Sequence, residues 1–414
     1  MQVAIIGGGI GGLALALNLK ARGIACTVYE RAAELKELGV GITLLPHAMR
    51  EFTALGLAGT LLKAGIENRE SCFFNRFGQL IYKEPRGRFS GYNDPEVGIH
   101  RGRLHMILYD AVRERMPDAV KTAHDCVGVE QDDNGVTLRF RDPASGALRE
   151  PVRADIAIAC DGIQSAVRKQ FYPDDTVVFT GINTWRGITR HKPILGGRTY
   201  MRVGSILTGK IVIYPIIDNI DGEGRQLINW MAEIKRDTRH SNDWNTAGKL
   251  SDFYALYENW QFDWLDVAAL IRDADQILEY PMVDKDPIAR WSFGRVTLAG
   301  DAAHPMYPRG SNGSAQAAID ARVLAETLKA HTDPVAALKA YEAARLTPTT
   351  RIVETNRAHP PDFINIKVEE LVGDRPFERL DDYITQDELR ALSDNYKRIA
   401  GFAVPTGADK PPAT

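Results

Sequence analysis

The chain opens on an unbroken apolar run, Val3-Ala4-Ile5-Ile6, the pattern of a strand buried on both faces. A glycine-rich stretch follows, Gly7-Gly8-Gly9-Ile10-Gly11-Gly12, and Leu13 to Ala21 then carries apolar residues at helical spacing. Ala25 to Tyr29 is a second short strand, closed by Glu30-Arg31. Glu37 to Ile42 reads as a glycine-punctuated turn into extended chain, and Pro46 to Leu62 returns to helical spacing. Aromatics alternate between Ser71 and Val97 (Phe73, Phe74, Phe77, Tyr82) and between Thr180 and Met231 (Trp185, Tyr200, Tyr214, Trp230), which predicts strands and loops. Leu104 to Met116 reads as a helix, and Val127 to Phe140 as a hairpin turning at Asp133-Asn134-Gly135. Two more buried strands, Ala154 to Ala159 and Arg295 to Ala299, run into Cys160-Asp161-Gly162 and Gly300-Asp301. A long helix is expected over Ala315 to Ala330, and charged helices from Pro334 onward, broken at Pro360-Pro361. The Pro- and Ala-rich tail 405–414 reads as frayed.

These elements predict an α/β protein. A Rossmann-like dinucleotide-binding domain is assembled from residues 1–70, 98–180 and 282–340. A β-rich domain is inserted twice, at 71–97 and 181–281, and a helical region follows from 341 to 414. Length permits this, since 414 residues can bury two or three cores. A net charge of −3 argues against nucleic acid or an anionic membrane as the main partner. No apolar run approaches the roughly 20 residues of a membrane span. The first strand begins almost at the N-terminus, which argues against a signal peptide and for a cytoplasmic protein. Cys26, Cys72, Cys126 and Cys160 are scattered, with no CxxC and no metal-ligand spacing, as expected of reduced structural thiols.

The glycine run fits GxGxxG through Gly7, Gly9 and Gly12. The first makes the tight turn, the second lets backbone approach a pyrophosphate, and the third lets helix pack on strand. The helix start offers free N–H groups to phosphate. Glu30 lies where a carboxylate can accept from a ribose hydroxyl. Asp301 ends a strand of the same sheet, where it can hold a sugar or ribityl hydroxyl. The loop Pro308-Arg309-Gly310-Ser311-Asn312-Gly313 precedes a helix, so its N–H groups can face an electron-rich ring edge. Arg101, opening another helix, can reach phosphate or the ribityl chain.

GxGxxG, Glu30-Arg31, His100-Arg101, Cys160-Asp161-Gly162 and Gly300-Asp301, in this order and spacing from residue 3 to about 357, resemble the single-component flavoprotein aromatic hydroxylases, the para-hydroxybenzoate hydroxylase group. Within it the chain is most similar to the phenazine-carboxylate monooxygenase branch. The shared stretches are Leu38 to Ile42, Ile99 to Gly102, Trp185-Arg186-Gly187, Tyr280 to Asp284 and Met306-Tyr307-Pro308. Arg309 departs from that branch, which has an uncharged residue in this loop. The resemblance implies one bound FAD, with contacts at Gly12, Glu30, Arg31, Gly41, Arg101, Asp301 and Gly313. It implies an adenine contact near the Cys126 backbone, and Asp161 bracing the pyrophosphate site. NADH or NADPH would act as a transient co-substrate. Reduced flavin and O2 would give a C4a-hydroperoxide that hydroxylates a small aromatic or heteroaromatic substrate. The Ser311-Asn312-Gly313 backbone would steady the reduced flavin's charge.

Beyond the cofactor, His47 is a candidate to deprotonate a ring hydroxyl, or else a helix-start histidine with a structural hydrogen bond. Tyr214 either bonds substrate or packs. Trp185 is either a substrate platform or core, and His304 reads as structural. Arg309 either pairs with a substrate carboxylate or is a solvated loop arginine. A monomer or homodimer is compatible with the sequence. The competing function is a non-oxygenating FAD oxidoreductase or oxidase, which an intact Gly300-Asp301 and Pro308 to Gly313 disfavours.

Overall fold

A computed structural model describes residues 1–237, 246–401 and 403; the frayed tail expected at 405–414 lies outside them. The apolar opening strand, Gln2–Ile6, is sandwiched between Ile156–Ala159 and Ala25–Tyr29, parallel to both. They are the middle of a six-stranded sheet ordered Ser292–Phe293, Val296–Leu298, Ile156–Ala159, Gln2–Ile6, Ala25–Tyr29 and Val120–Lys121. Parallel neighbours need crossovers, which bring distant segments of chain to one sheet edge. Helices Ile10–Ala21, Arg101–Arg115 and Gly313–Ala330 pack through Leu13, Leu17, Leu104, Leu108 and Leu324 in the core that Val3 and Ile5 also enter. The stretch expected to be helical from Pro46 to Leu62 divides into Pro46–Ala54 and Ala58–Ala64, because Gly56 takes a φ of +75°.

The alternating aromatic segments form an eight-stranded sheet. Its order is Thr246–Ala247, Gln276–Asp284, Val178–His191, Gln226–Lys235, Gly209–Ile217, Thr199–Ser205, Glu70–Phe74 and Leu80–Pro85. Side chains alternate faces along each strand. Trp185, Trp230, Ile213, Met201 and Cys72 share one face, covered by Phe253, Tyr257, Trp260 and Leu270. The other face carries three cross-strand rows. Thr184, Glu233, Lys210 and Gly204 make the first. Arg186, Met231, Val212, Arg202 and Phe73 make the second. Ile188, Asn229 and Tyr214 belong to the third.

Helices Pro334–Ala358, Phe363–Val372 and Gln386–Ile399 close the molecule on this side. Pro360 and Pro361 separate the first two, as their missing donors require. Ile364, Val368 and Leu389 bury against Phe73 and Tyr82. The last helix starts in a capping box, with Thr385 and Glu388 each satisfying the other's backbone N–H.

Candidate functional site

Three loops at the C-terminal ends of the parallel strands meet. At the first, Gly7 has a φ of +102°, and a Cβ there would stand 2.4 Å from the Cys160 carbonyl oxygen. A Cβ on Gly12 would stand 2.0 Å from the Gly7 carbonyl oxygen, so only glycine lets this helix sit on this strand. Gly9 has nothing within 4 Å of its Cβ position: the space above it is open. The helix it begins has no side-chain cap and no acid in its first turn. Its free N–H groups and positive dipole end therefore face that space unopposed. Glu30 accepts from the Gly8 and Ala32 N–H groups, both at 2.7 Å. His105, which sequence reasoning did not single out, holds the Gly8 carbonyl at 2.6 Å.

The second loop hangs on a buried charge. Gly300 N–H donates to Asp320 at 3.0 Å, and Asp320 also takes bonds from His304 and from Arg345 at 2.7 Å. Burial alone would raise the Asp320 pKa; His304 and Arg345 hold it well below the usual carboxylate range. Asp301, one residue on, opens to the cleft yet is ringed by protein, and loss of water raises its pKa. A Cβ on Gly313 would lie 3.9 Å from the Asp301 Oδ1, and Cβ atoms on Gly11 and Gly300 would each meet Ala317 at 3.4 Å. The first helix, this strand end and the helix Gly313–Ala330 thus converge. Asp161 accepts from the Ala166 N–H at 2.9 Å, at the start of the helix Ala166–Phe171, which Ser165 caps through the Arg168 N–H at 2.9 Å. Arg31 is exposed, and Cys126 buries its thiol near the Gly128 carbonyl.

The third loop carries Asn312. Its side-chain oxygen lies 2.9 Å from His47 Nε2, and its amide donates to the Tyr396 hydroxyl at 3.3 Å. Tyr396 donates onward to Asn356 at 3.0 Å. His47 opens the helix Pro46–Ala54, and burial pushes its pKa down to about 4, so it is neutral at pH 7. Ser311 takes a φ of +54° to deliver the chain into Gly313–Ala330, whose start again has no side-chain cap. Ser314 buries its hydroxyl with no hydrogen-bond partner among the described residues. From the large sheet, Asn229 accepts from the Gly41 N–H at 2.7 Å. Tyr214 stacks on Tyr200 at 4.9 Å and lies over Gly98. The Arg101 side chain passes over Gly39 and into the field of Asp301.

Two expectations fail. Arg309 is not open to a ligand carboxylate, because its guanidinium already grips Asp362 with two nitrogens. Lys210 reaches the same carboxylate at 2.9 Å and Glu233 at 2.8 Å, a balanced cluster of two cations and two anions. Trp185 lies on the other face of the sheet from Tyr214, stacked on Phe253 at 4.9 Å; it is core, not a platform for substrate. Arg186, read only as part of a shared stretch, and Arg202 lie on the Tyr214 face; lone arginines in strands carry no motif that assigns them a role.

The open space over Gly9, two uncapped helix starts, the Ser314 hydroxyl and the Asp301 carboxylate fit a dinucleotide with a sugar-alcohol chain. The model of the FAD binding domain family matches residues 1–189 and 274–356. A phenazine 1,6-dicarboxylic acid hydroxylase of Lysobacter antibioticus is 40% identical over 86% of this chain and 89% of its own. A 3-amino-4-hydroxybenzoate 2-monooxygenase of Streptomyces platensis is 33% identical over 98% of both. The solved structure of HpxO from Klebsiella pneumoniae, complexed with FAD and uric acid, shares the fold, with a TM-score of 0.76 over 97% of this chain and 95% of that one at 23% identity. Among the described residues no helix is long and apolar enough to cross a membrane. The chain belongs to the FAD-binding family of flavoprotein aromatic monooxygenases.

Proposed function

We propose that this flavoprotein hydroxylates a small aromatic or heteroaromatic acid or phenol, drawing electrons from NADH or NADPH. One ring C–H, O2, NAD(P)H and a proton become a ring C–OH, NAD(P)+ and water. FAD, when bound, supplies the redox and oxygen chemistry, and the protein binds, orients and excludes water. Gly7, Gly9 and Gly12 leave backbone for the pyrophosphate, Glu30 and Arg31 take the adenosine ribose side, and the Cys126 backbone borders adenine. Asp301 and Arg101 hold the ribityl chain, Asp161 braces the strand end beside it, and Gly41, Asn312 and Gly313 border the flavin ring.

The observation that carries the reading is His47. Its neutral imidazole is held by Asn312 at the start of an uncapped helix. An unprotonated imidazole there can receive the proton of a ring hydroxyl, which makes the ring a better nucleophile. Tyr214 orients the ring from the sheet. The test is aromatic-stimulated NAD(P)H oxidation by FAD-loaded protein, with mass spectrometry of the product. One added oxygen is expected; peroxide alone would sink the reading. His47→Gln is expected to lower kcat about 10²-fold or more and to leave KM within a few-fold.

A further inference from the structure

Two runs of hydrogen bonds meet at the Asn312 amide, and each ends in a group whose polarity is fixed by its chemistry. The oxygen and nitrogen of an amide are alike in shape, so which one faces a neighbour is decided by what that neighbour can donate or accept. Every side chain in both runs is buried, so each donor must find its acceptor inside the protein.

The first run starts at a guanidinium, which only donates. Arg345 is held by Asp320 at 2.7 Å, the carboxylate that also takes the Gly300 N–H. Arg345 donates to Gln316 Oε1 at 2.6 Å. That turns the Gln316 amide nitrogen toward Asn312, 3.4 Å from its Oδ1. The second run ends at a backbone carbonyl, which only accepts. The Asn356 amide nitrogen donates to the Tyr307 carbonyl at 3.3 Å, so its oxygen takes the Tyr396 hydroxyl proton at 3.0 Å. With that proton spent, the Tyr396 oxygen receives the Asn312 Nδ2 at 3.3 Å. Gly310 leaves the room for this, since a Cβ there would overlap the Tyr396 hydroxyl. Both runs therefore give Asn312 one orientation, its nitrogen toward Tyr396 and its oxygen toward His47 Nε2 at 2.9 Å. An amide oxygen only accepts, so the ring nitrogen that faces it bears the hydrogen.

Resting on the hydroxylase reading, we infer that Arg345, Gln316, Tyr396 and Asn356 are positioning residues that keep the His47 proton on Nε2, and that Nδ1 is the atom that takes the substrate proton. In that transfer the ring O–H bond breaks and its electron pair stays on oxygen. The proton bonds to Nδ1, Nε2–H stays on Asn312, and the added proton passes to water when product leaves. A base presented in this way accepts from a ring O–H and offers nothing to a carbonyl or carboxylate oxygen. Asp320 thus holds two things at once: through Gly300 the strand end that carries Asp301, and through Arg345 the tautomer of His47.

The test is the nitrogen NMR spectrum of FAD-loaded protein labelled with 15N in histidine alone, at about pH 8, where an ordinary histidine is neutral. His47 is assigned by the signals missing from His47→Gln. The wild type is expected to show one form, protonated at Nε2 and bare at Nδ1. Tyr396→Phe should keep that form, because Gln316 still donates. Gln316→Glu combined with Tyr396→Phe makes one neighbour of Asn312 an acceptor and removes the other. The amide should then turn over and the His47 proton move to Nδ1. The same double variant should lose about 10²-fold or more in kcat on the aromatic that the wild type oxygenates, with KM within a few-fold, while Tyr396→Phe alone keeps most of its kcat. A wild type protonated at Nδ1 or averaged between the two nitrogens overturns the assignment, and so does a folded, FAD-binding double variant that keeps the proton on Nε2. The wild-type spectrum decides alone should the double variant not fold. Nε2–H in a protein that takes up FAD but oxygenates no aromatic would uphold the positioning and overturn the hydroxylase reading beneath it.

Discussion

Arg309 shows how a residue's chemistry can be legible while its partner is not. A loop arginine beside a ligand pocket invites a carboxylate, and here the carboxylate is Asp362, 53 positions along the chain. Arg309→Ala would leave Asp362 buried with Lys210 alone, and loss of one member of a buried pair costs about 3–5 kcal/mol. Urea denaturation should register that loss, while the Kd for an aromatic acid should stay within two-fold; a ten-fold rise in Kd would restore Arg309 to the substrate site. His47 carries a second expectation. Its ordinary pKa of 6.5 falls to about 4 on folding. The unfolded chain therefore binds the proton first. Its contribution is complete above about pH 6.5 and is lost as pH falls toward 4, about 3 kcal/mol in all. His47→Gln should lose that much less stability than the wild type between pH 7 and pH 4, in matched urea titrations.

At the scale of elements, what could be read locally held and what depended on register did not. The opening strand, glycine turn and helix are fixed by residues adjacent in sequence, and Gly12 sits against Gly7 as the spacing implies. Gly12→Ala should cut FAD affinity at least 100-fold by forcing helix from strand, measured by flavin fluorescence on release. The same is not true of the large sheet. Alternation says that Trp185 and Arg186 point opposite ways, but only pairing with Gln226–Lys235 and Gln276–Asp284 says which way is inward. Trp185, the more conspicuous residue, went to the core, and the plain Arg186 to the face of Tyr214. The helix Gln386–Ile399 was visible as a charged helix; that its Tyr396 steadies Asn312, 84 positions away, was not. Tyr396→Phe should cost about 1–3 kcal/mol, since it leaves buried amides short of a partner. A thermal shift beyond that of surface controls would register it.

For the molecule as a whole, the order of the strands follows from the βαβ logic that the sequence already displays, but the two anchors across the large sheet do not. They join residues 41 with 229, and 309 with 362, 210 and 233. FAD bridging these loops should stabilise the fold by about 2.7 kcal/mol at a hundred times Kd, and the melting temperature should rise with FAD concentration accordingly. A cofactor-independent melting curve would show that the loops do not share one ligand.

The strand Gln2–Ile6 has a further bearing, on synthesis. Its partner on one side, Ala25–Tyr29, emerges from the ribosome at once; the other, Ile156–Ala159, follows some 150 residues later. At about 5–20 residues per second the wait is roughly 8–30 s. Throughout it a short strand, apolar but for its first residue, Gln2, has one bare edge, the template on which nascent chains misassociate. Slow codons between the two partners should lower soluble yield, and a chaperone that shields apolar segments should restore it.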